Sequence, residues 1–428
     1  MAYFKMKYGN EKMDVFIPDE KLLGIIEGNK GCSNKKEEQV ILNSLDNPIG
    51  TKKLEEIVSP GETVCIVISD ITRAWQKMSF YLPYIVERLG MAGVKDEDIT
   101  FLCATGSHRR QTKEEHDILL GRLAKRFKVI DHDCRDKDNL IYLGKTSFGT
   151  PVYINKIAMN CSHIVLTGAI VFHDLAGWSG GKKSIIPGIS GYETIMANHS
   201  LSLSPNFGEG INPPVRSGNI INNPVHQDML EAAEFVKPSF LFNVVVDGDG
   251  NISGAVAGDY IKAHEAGCKL VDEVDRVYIK QKADLVIASA GGYPKDIDLY
   301  QASKALINAK EAVKEGGTII VLSECVEGVG NNEVQEIIQN FRNNKDREME
   351  LRRSYTIAKY SGYLVTEIAE NYEVILVSDI DKKLIDRSNI TVVRSFDEAI
   401  NIVYEKKGQD LKIYVMPFAA NTLPTLCE

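Results

Sequence analysis

Four short apolar runs closed by turn residues constrain the fold of this chain more than any other feature. They are "TVCIVIS" (Thr63–Ser69), "ITFLCAT" (Ile99–Thr105), "HIVLTGAI" (His163–Ile170) and "FLFNVVVD" (Phe240–Asp247), and they read as buried strands. Between them lie helix-like stretches such as "SFYLPYIVERLGMAG" (Ser79–Gly93), where apolar residues recur near a spacing of 3.6. Strands alternating with helices predict an α/β fold with mainly parallel sheets flanked by helices. In such sheets ligands bind at the carboxyl ends of the strands, where loops leave for the next helix.

At 428 residues the chain is too long for one ordinary core, so two domains are expected. A second α/β series starts near residue 283 with the strand and loop "ADLVIASAGG". The helix "YQASKALINAKEAVKEGG" follows, closed by its glycines, and then the strands "TIIVLSE" and "YEVILVSD". The stretch Gly258–Ile279 reads as helix and then strand, which places the boundary near 275. The expected domains are 1–274, joined by a returning 409–428 with its strand "KIYVMPFAAN", and 275–408. The active site is expected in the cleft between them. The polar run Arg342–Arg353 reads as a solvated helix or loop.

Composition narrows the function. A formal charge of −9 and no Lys/Arg run interleaved with aromatics argue against a nucleic-acid partner. The N-terminus, "MAYFKMKYGNEKMDVFIPDE", alternates and carries charge early, so it reads as strand and not as signal peptide. No run approaches ~18 apolar residues, so no membrane span is expected. The eight cysteines are scattered with no C-x-x-C pair, and Cys65 and Cys103 sit inside apolar runs as small buried thiols. A cytoplasmic protein is expected.

The loops after the strands carry the chemistry. "FHDLAGWSGGKKSIIPGISGYETIMANHS" (Phe172–Ser200) places five glycines, two adjacent lysines and two histidines in one segment. A phosphate loop needs G-x-x-x-x-G-K-[ST], but Lys183 follows Lys182 and Ala176 stands where the first glycine belongs. What remains is a backbone able to approach an anion, and a lysine whose amine pKa is depressed by a neighbouring cation. "SDITRAW" (Ser69–Trp75) offers Asp70, Thr72 and Arg73 at a strand end, a guanidinium suited to a carboxylate or phosphate, or a turn with an Asp cap. "CATGSHRRQTKEE" (Cys103–Glu115) puts His108 on a tight loop before a helix capped by Thr112 and Glu115, a place for an acid/base group. In "SAGGYPKDIDLYQASKA" (Ser289–Ala305), Tyr300 and Lys304 share one helix face with Gln301 adjacent. His116, His132, His163, His226 and His264 lack such context and are assigned no role.

Taken together, "SDITR", "ATGSHR", "HDLAGWSGGKKSIIPG…NH", "GNIINNPVHQDML" and "GGYPKDIDLYQASK" resemble the nickel-dependent lactate racemase family, in order and in approximate separation over residues 63–305 at least. The resemblance implies a nickel-pincer nucleotide tethered to Lys183, with nickel bound by His199 and with Lys182 in a variable slot. It implies His108 and His173 as paired acid/base residues. It implies that Arg73, Tyr300, Gln301 and Lys304 bind substrate, and that Asp70, Thr72, Gly180 and Gly181 help hold the nucleotide. The activity implied is racemisation or 2-epimerisation of a 2-hydroxy acid by proton-coupled hydride transfer. Cofactor-synthesis and insertion proteins are the implied partners.

The chain departs from the family's pattern at Ala74-Trp75 after Thr-Arg, at Asp174 after His173, and at Trp178 before Ser-Gly-Gly. These positions leave the substrate open between lactate and larger 2-hydroxy acids, sugar acids included. Three rival readings are a phosphate-loop protein, a non-catalytic carrier of the nickel cofactor, and a zinc hydrolase built on His108, His173 and His199. The first meets the broken Walker pattern, and the last lacks the short ligand spacings typical of zinc.

Overall fold

A computed structural model describes residues 1–28 and 36–427. They divide into two units. One contains residues 36–202 and Pro213–Val274; the other contains residues 1–28, Leu203–Asn212 and 275–427.

The first unit is built on a six-stranded sheet. Its order is Ile252–Gly258, Phe240–Val246, His163–Ala169, Val64–Ser69, Ile99–Ala104 and Lys128–Asp131. All neighbours are parallel except the Phe240–Val246/Ile252–Gly258 pair. Five of the six residues of Val64–Ser69 are buried, which is why the run is continuously apolar and not alternating. The helix Met78–Met91 covers one face, laying Tyr81, Leu82, Ile85 and Leu89 against Ile66, Ile68 and Phe101. From Val64–Ser69 the chain steps outward through Ile99–Ala104 to Lys128–Asp131. It then returns to the opposite side of Val64–Ser69 with His163–Ala169. That reversal opens a crevice at the carboxyl ends of two adjacent central strands.

The second unit carries a parallel sheet of order Thr391–Val393, Glu373–Val377, Val313–Leu322, Ala283–Ser289, Ile413–Met416 and Leu22–Ile25. An antiparallel hairpin, Ala2–Tyr8 with Glu11–Ile17, contributes Met6, Val15 and Ile17 to the core formed with Leu285, Ile287 and Val415.

Three expectations are corrected here. Residues 409–428 do not rejoin the first unit, because the fully buried Ile413–Met416 pairs on both sides within the second unit's sheet. The N-terminal residues belong to that unit too, through the hairpin core and the Leu22–Ile25 edge. The helix Leu299–Ala309 ends before the glycines, and Gly316 and Gly317 lie inside the strand Val313–Leu322.

The run 342–353 is also less solvated than its polarity suggests. It forms the helix Asn344–Arg353 with Asn344, Arg347, Glu348 and Leu351 buried. Among the described residues, no helix is long and apolar enough to cross a membrane.

Candidate active site

The loops leaving Val64–Ser69, Ile99–Ala104 and His163–Ala169 hold eight of the expected site residues within the first unit. Asp70 caps the short helical turn Ile71–Gln76 and is 3% exposed. Its Oδ1 accepts from the Thr72 amide at 3.1 Å and from the Thr72 hydroxyl at 2.5 Å, and its Oδ2 faces His108 Nδ1 at 2.5 Å. Burial pulls the Asp70 carboxyl upward, but His108 and Thr72 outweigh it and hold the group below its ordinary value. Arg73 bonds back to the Thr72 hydroxyl at 3.0 Å, which orients its guanidinium beside Asp70.

The His108 loop rests on the lysine turn. Gly106 donates its amide to the Gly188 carbonyl, and its φ of +56° is a conformation that favours glycine. The turn Gly181–Ser184 is shaped by close packing. Gly180 and Gly181 have φ of +73° and +55°, and a Cβ on Gly181 would lie 2.6 Å from the His264 ring. The Gly181 amide donates to Asn243 Oδ1 at 2.8 Å, so this glycine pair serves the turn's conformation and its own amide is already committed.

Of the two lysines of this turn, Lys182 is the one that departs from expectation. Lys183 is half-buried by surface area, but its amine lies among dense packing. Burial, then Lys182 and Arg73 against the opposing pull of Asp174, brings its pKa down to about 7. Lys182, expected to be the indifferent one, is 1% exposed, and its amine has no hydrogen-bond partner among the described residues. Burial lowers it to about 8, with Cys268 and Glu265 pulling the other way. His226 and His264, assigned no role from sequence, are buried beside it. Burial and the nearby Lys182 push His226 down to about 3 and His264 well below the usual imidazole range. Nothing in the spacing of these residues announced the cluster, because they come from three separate segments.

His199 stands in the last turn of the helix Tyr192–Ser200 and is 2% exposed. Its Nδ1 lacks a partner in hydrogen-bond geometry among the described residues, and the Ile195 carbonyl one turn earlier pulls its pKa upward less than burial and Lys183 push it down. Burial and then Lys183 lower its pKa to about 3, so the ring is neutral. Asn198 anchors the same helix, donating to Asp228 Oδ2 at 2.8 Å and the Val225 carbonyl at 3.1 Å. A buried, neutral imidazole with an unclaimed nitrogen suits a single metal ligand, and a lysine poised near neutrality suits acylation of its amine. The chain therefore fits a metal-bearing group tethered at Lys183 and ligated by His199. Among the described residues, no three His, Cys, Asp or Glu side chains gather to hold a metal, so a zinc site on His108, His173 and His199 is not formed.

Tyr300, Gln301 and Lys304 lie in the other unit, in the first turns of the helix Leu299–Ala309. Asp298 caps this helix by accepting from the Gln301 amide at 2.7 Å, and Lys304 Nζ donates to Gln301 Oε1 at 2.8 Å.

Comparison with known proteins identifies the family. Residues 8–210 match the family model of the lactate racemase N-terminal domain, and residues 278–421 match that of the C-terminal domain. The chain is 33% identical to a lactate racemase of Thermoanaerobacterium thermosaccharolyticum and 34% identical to one of Lactiplantibacillus plantarum. Each alignment covers 97% of this chain and 98% of the relative. The chain belongs to the lactate racemase family. As a member it is an isomerase of the racemase and epimerase class acting on hydroxy acids. The solved lactate racemase apoprotein from T. thermosaccharolyticum superposes with a TM-score of 0.89 at 31% identity, covering all of both chains. A Thermotoga maritima protein shares the fold at a TM-score of 0.66 and 19% identity, covering 92% of this chain and 98% of that one.

Proposed function

We propose that this lactate racemase family member interconverts the configurations at C2 of a 2-hydroxy acid, either lactate or a larger acid of the sugar-acid type. The observation that carries this reading is the set of groups at one sheet edge: a neutral buried His199, a Lys183 amine near neutrality, and His108 held by a buried carboxylate. Lys183 would tether a nickel-pincer nucleotide and His199 would ligate its nickel, with Asp70 and Thr72 beside it and Gly180 and Gly181 keeping the lysine turn in shape. When bound, that group supplies a hydride-accepting centre, which avoids removing the weakly acidic C2 proton of a hydroxy acid as a carbanion.

The chain's own residues do the remaining work. His108 and His173 exchange the hydroxyl proton, one for each configuration. Arg73, Gln301 and Lys304 bind the substrate carboxylate or hydroxyl, and Tyr300 contacts the substrate beside them. A cofactor carrier has no use for a carboxylate-held His108, which is why catalysis is favoured over carriage. A cytoplasmic setting and dependence on cofactor-synthesis proteins belong to the same proposal; the seven described cysteines are free thiols.

The test is intact mass and nickel content of protein co-expressed with cofactor-making enzymes. A covalent adduct is expected, lost in Lys183→Ala; an adduct that persists in that variant sinks the tether. A panel of single-enantiomer 2-hydroxy acids followed by chiral chromatography then identifies the substrate.

A further inference from the structure

Lys182 and Lys183 are neighbours in one turn, yet different groups act on them. Lys183 feels Asp174 and Arg73, residues of the candidate site. Lys182 feels Cys268 and Glu265 of the helix Lys262–Asp275, and acts in turn on His264 of that helix and on His226 of the helix Pro224–Val236. The proposed mechanism uses neither Lys182 nor any of these four.

Lys182, His226, His264 and Cys268 form a closed set, each less than a tenth exposed. Lys182 Nζ and His226 Nδ1 have no hydrogen-bond partner among the described residues. His264 is engaged elsewhere, with Nε2 2.8 Å from the Ser179 carbonyl and Nδ1 3.7 Å from Cys268 Sγ. Glu265 is exposed and does not hydrogen-bond the Lys182 amine.

An ammonium in such surroundings lacks both water and a counterion, which is why burial brings the amine down to about 8. A neutral buried amine is a nucleophile, and a reagent that reaches it must be small and uncharged. Carbon dioxide meets both conditions.

We infer that Lys182 captures carbon dioxide, forming on Nζ a carbamate that pairs with His226. The lone pair of the neutral amine forms an N–C bond to the carbon of carbon dioxide. One C–O π pair moves onto oxygen, and the proton that the nitrogen gives up goes to His226 Nδ1. The product is a carbamate beside an imidazolium, so the net charge is that of the neutral amine and imidazole it replaces.

The step inverts the local electrostatics. A cation that pushed His226 down becomes an anion that favours its protonation, and both unpartnered atoms gain a partner. Lys183 is less suited to the same reaction, because the Asp174 carboxylate beside it repels a second anion. The inference needs neither the nickel group nor a 2-hydroxy acid, so it stands or falls apart from the proposed function.

The test uses cofactor-free protein equilibrated with 13C-bicarbonate at about pH 8.5, where the Lys182 amine is mostly neutral. Carbon-13 NMR is expected to show a carbamate resonance beyond those of exposed amines, lost in Lys182→Met and kept in Lys183→Ala. If Lys182→Met does not fold, Lys182→Arg serves, since it keeps a cation and forms no carbamate. A spectrum unchanged by either Lys182 substitution would overturn the inference. So would a resonance lost in Lys183→Ala and kept in Lys182→Met.

The pH dependence tests the pairing. The amine must first lose a proton, and His226 keeps the one released. Affinity for dissolved carbon dioxide should therefore rise about tenfold per pH unit up to about 8 and level off above it. An affinity still climbing about tenfold per unit beyond about pH 9 would mean that the proton leaves for solvent, and would overturn the pairing with His226.

Discussion

Arg347 in the second unit and Lys182 in the first are both 1% exposed cations, and they could hardly be treated more differently. Arg347 donates to the carbonyls of Ile337, Ile338, Phe341 and Arg387 and to Asn344 Oδ1, at 2.7 to 3.1 Å. It closes the end of the helix Asn332–Gln339 and ties two loops to it, with the planar fork of the guanidinium serving several acceptors at once. Lys182 has no such partner among the described residues, and the groups acting on it are the Cys268 thiol, the Glu265 carboxylate and two imidazoles. Buried charge that is fully paired is architecture. Buried charge left unpaired weakens the fold and survives beside a functional turn.

The contrast can be broken at its strongest point first. Arg347→Met removes the charge but strands four carbonyls, and it should destabilise the protein by about 3–5 kcal/mol in urea unfolding. Arg347→Lys, which cannot reproduce the fork, should recover only a minor part. An Arg347→Met protein as stable as the parent would show that satisfied polarity holds nothing together here.

Lys182→Met should act in the opposite direction, stabilising the cofactor-free protein near neutral pH by about 2–3 kcal/mol, since each unit of pKa depression is worth ~1.4 kcal/mol. The sign follows from proton binding. With a folded pKa of about 8 against an ordinary lysine value of 10.5, the unfolded chain holds more protons between those values. Wild-type stability therefore rises with pH across that window, and the advantage of Lys182→Met should shrink over the same range. A constant advantage from pH 7 to 10.5 would mean that the gain is packing and not charge.

The smallest effect sharpens the comparison within the first unit. Asn198 is tied down by its Nδ2 beside His199, and Asn198→Ala removes both of its donated bonds. A loss of about 1–2 kcal/mol is expected in the same unfolding assay. On the proposed role of His199, nickel content of protein co-expressed with cofactor-making enzymes should fall with it, because the helix carrying His199 loses its anchor.

Much of the first unit was legible in the chain. The runs at Thr63–Ser69, Ile99–Thr105, His163–Ile170 and Phe240–Asp247 became strands at nearly those positions, because a strand buried on both faces leaves an unbroken apolar record. The capping box at Thr112 and Glu115 was equally readable, since both partners lie within one turn. Arg342–Arg353 misled because polarity predicts exposure only when no acceptors wait inside, and the carbonyls around Arg347 come from other segments.

The residues themselves determined which segments are strands and which loops follow them, because local periodicity and turn chemistry act over a few positions. They also determined the motif set that marks the family. The tertiary structure decided which sheet claims Ile413–Met416, that the Asp70 carboxylate meets His108 across two strands, and that Lys182 ends up buried without a partner. Each of these depends on distance in space between residues far apart in the chain, and hydrogen bonding and desolvation respond to that distance alone.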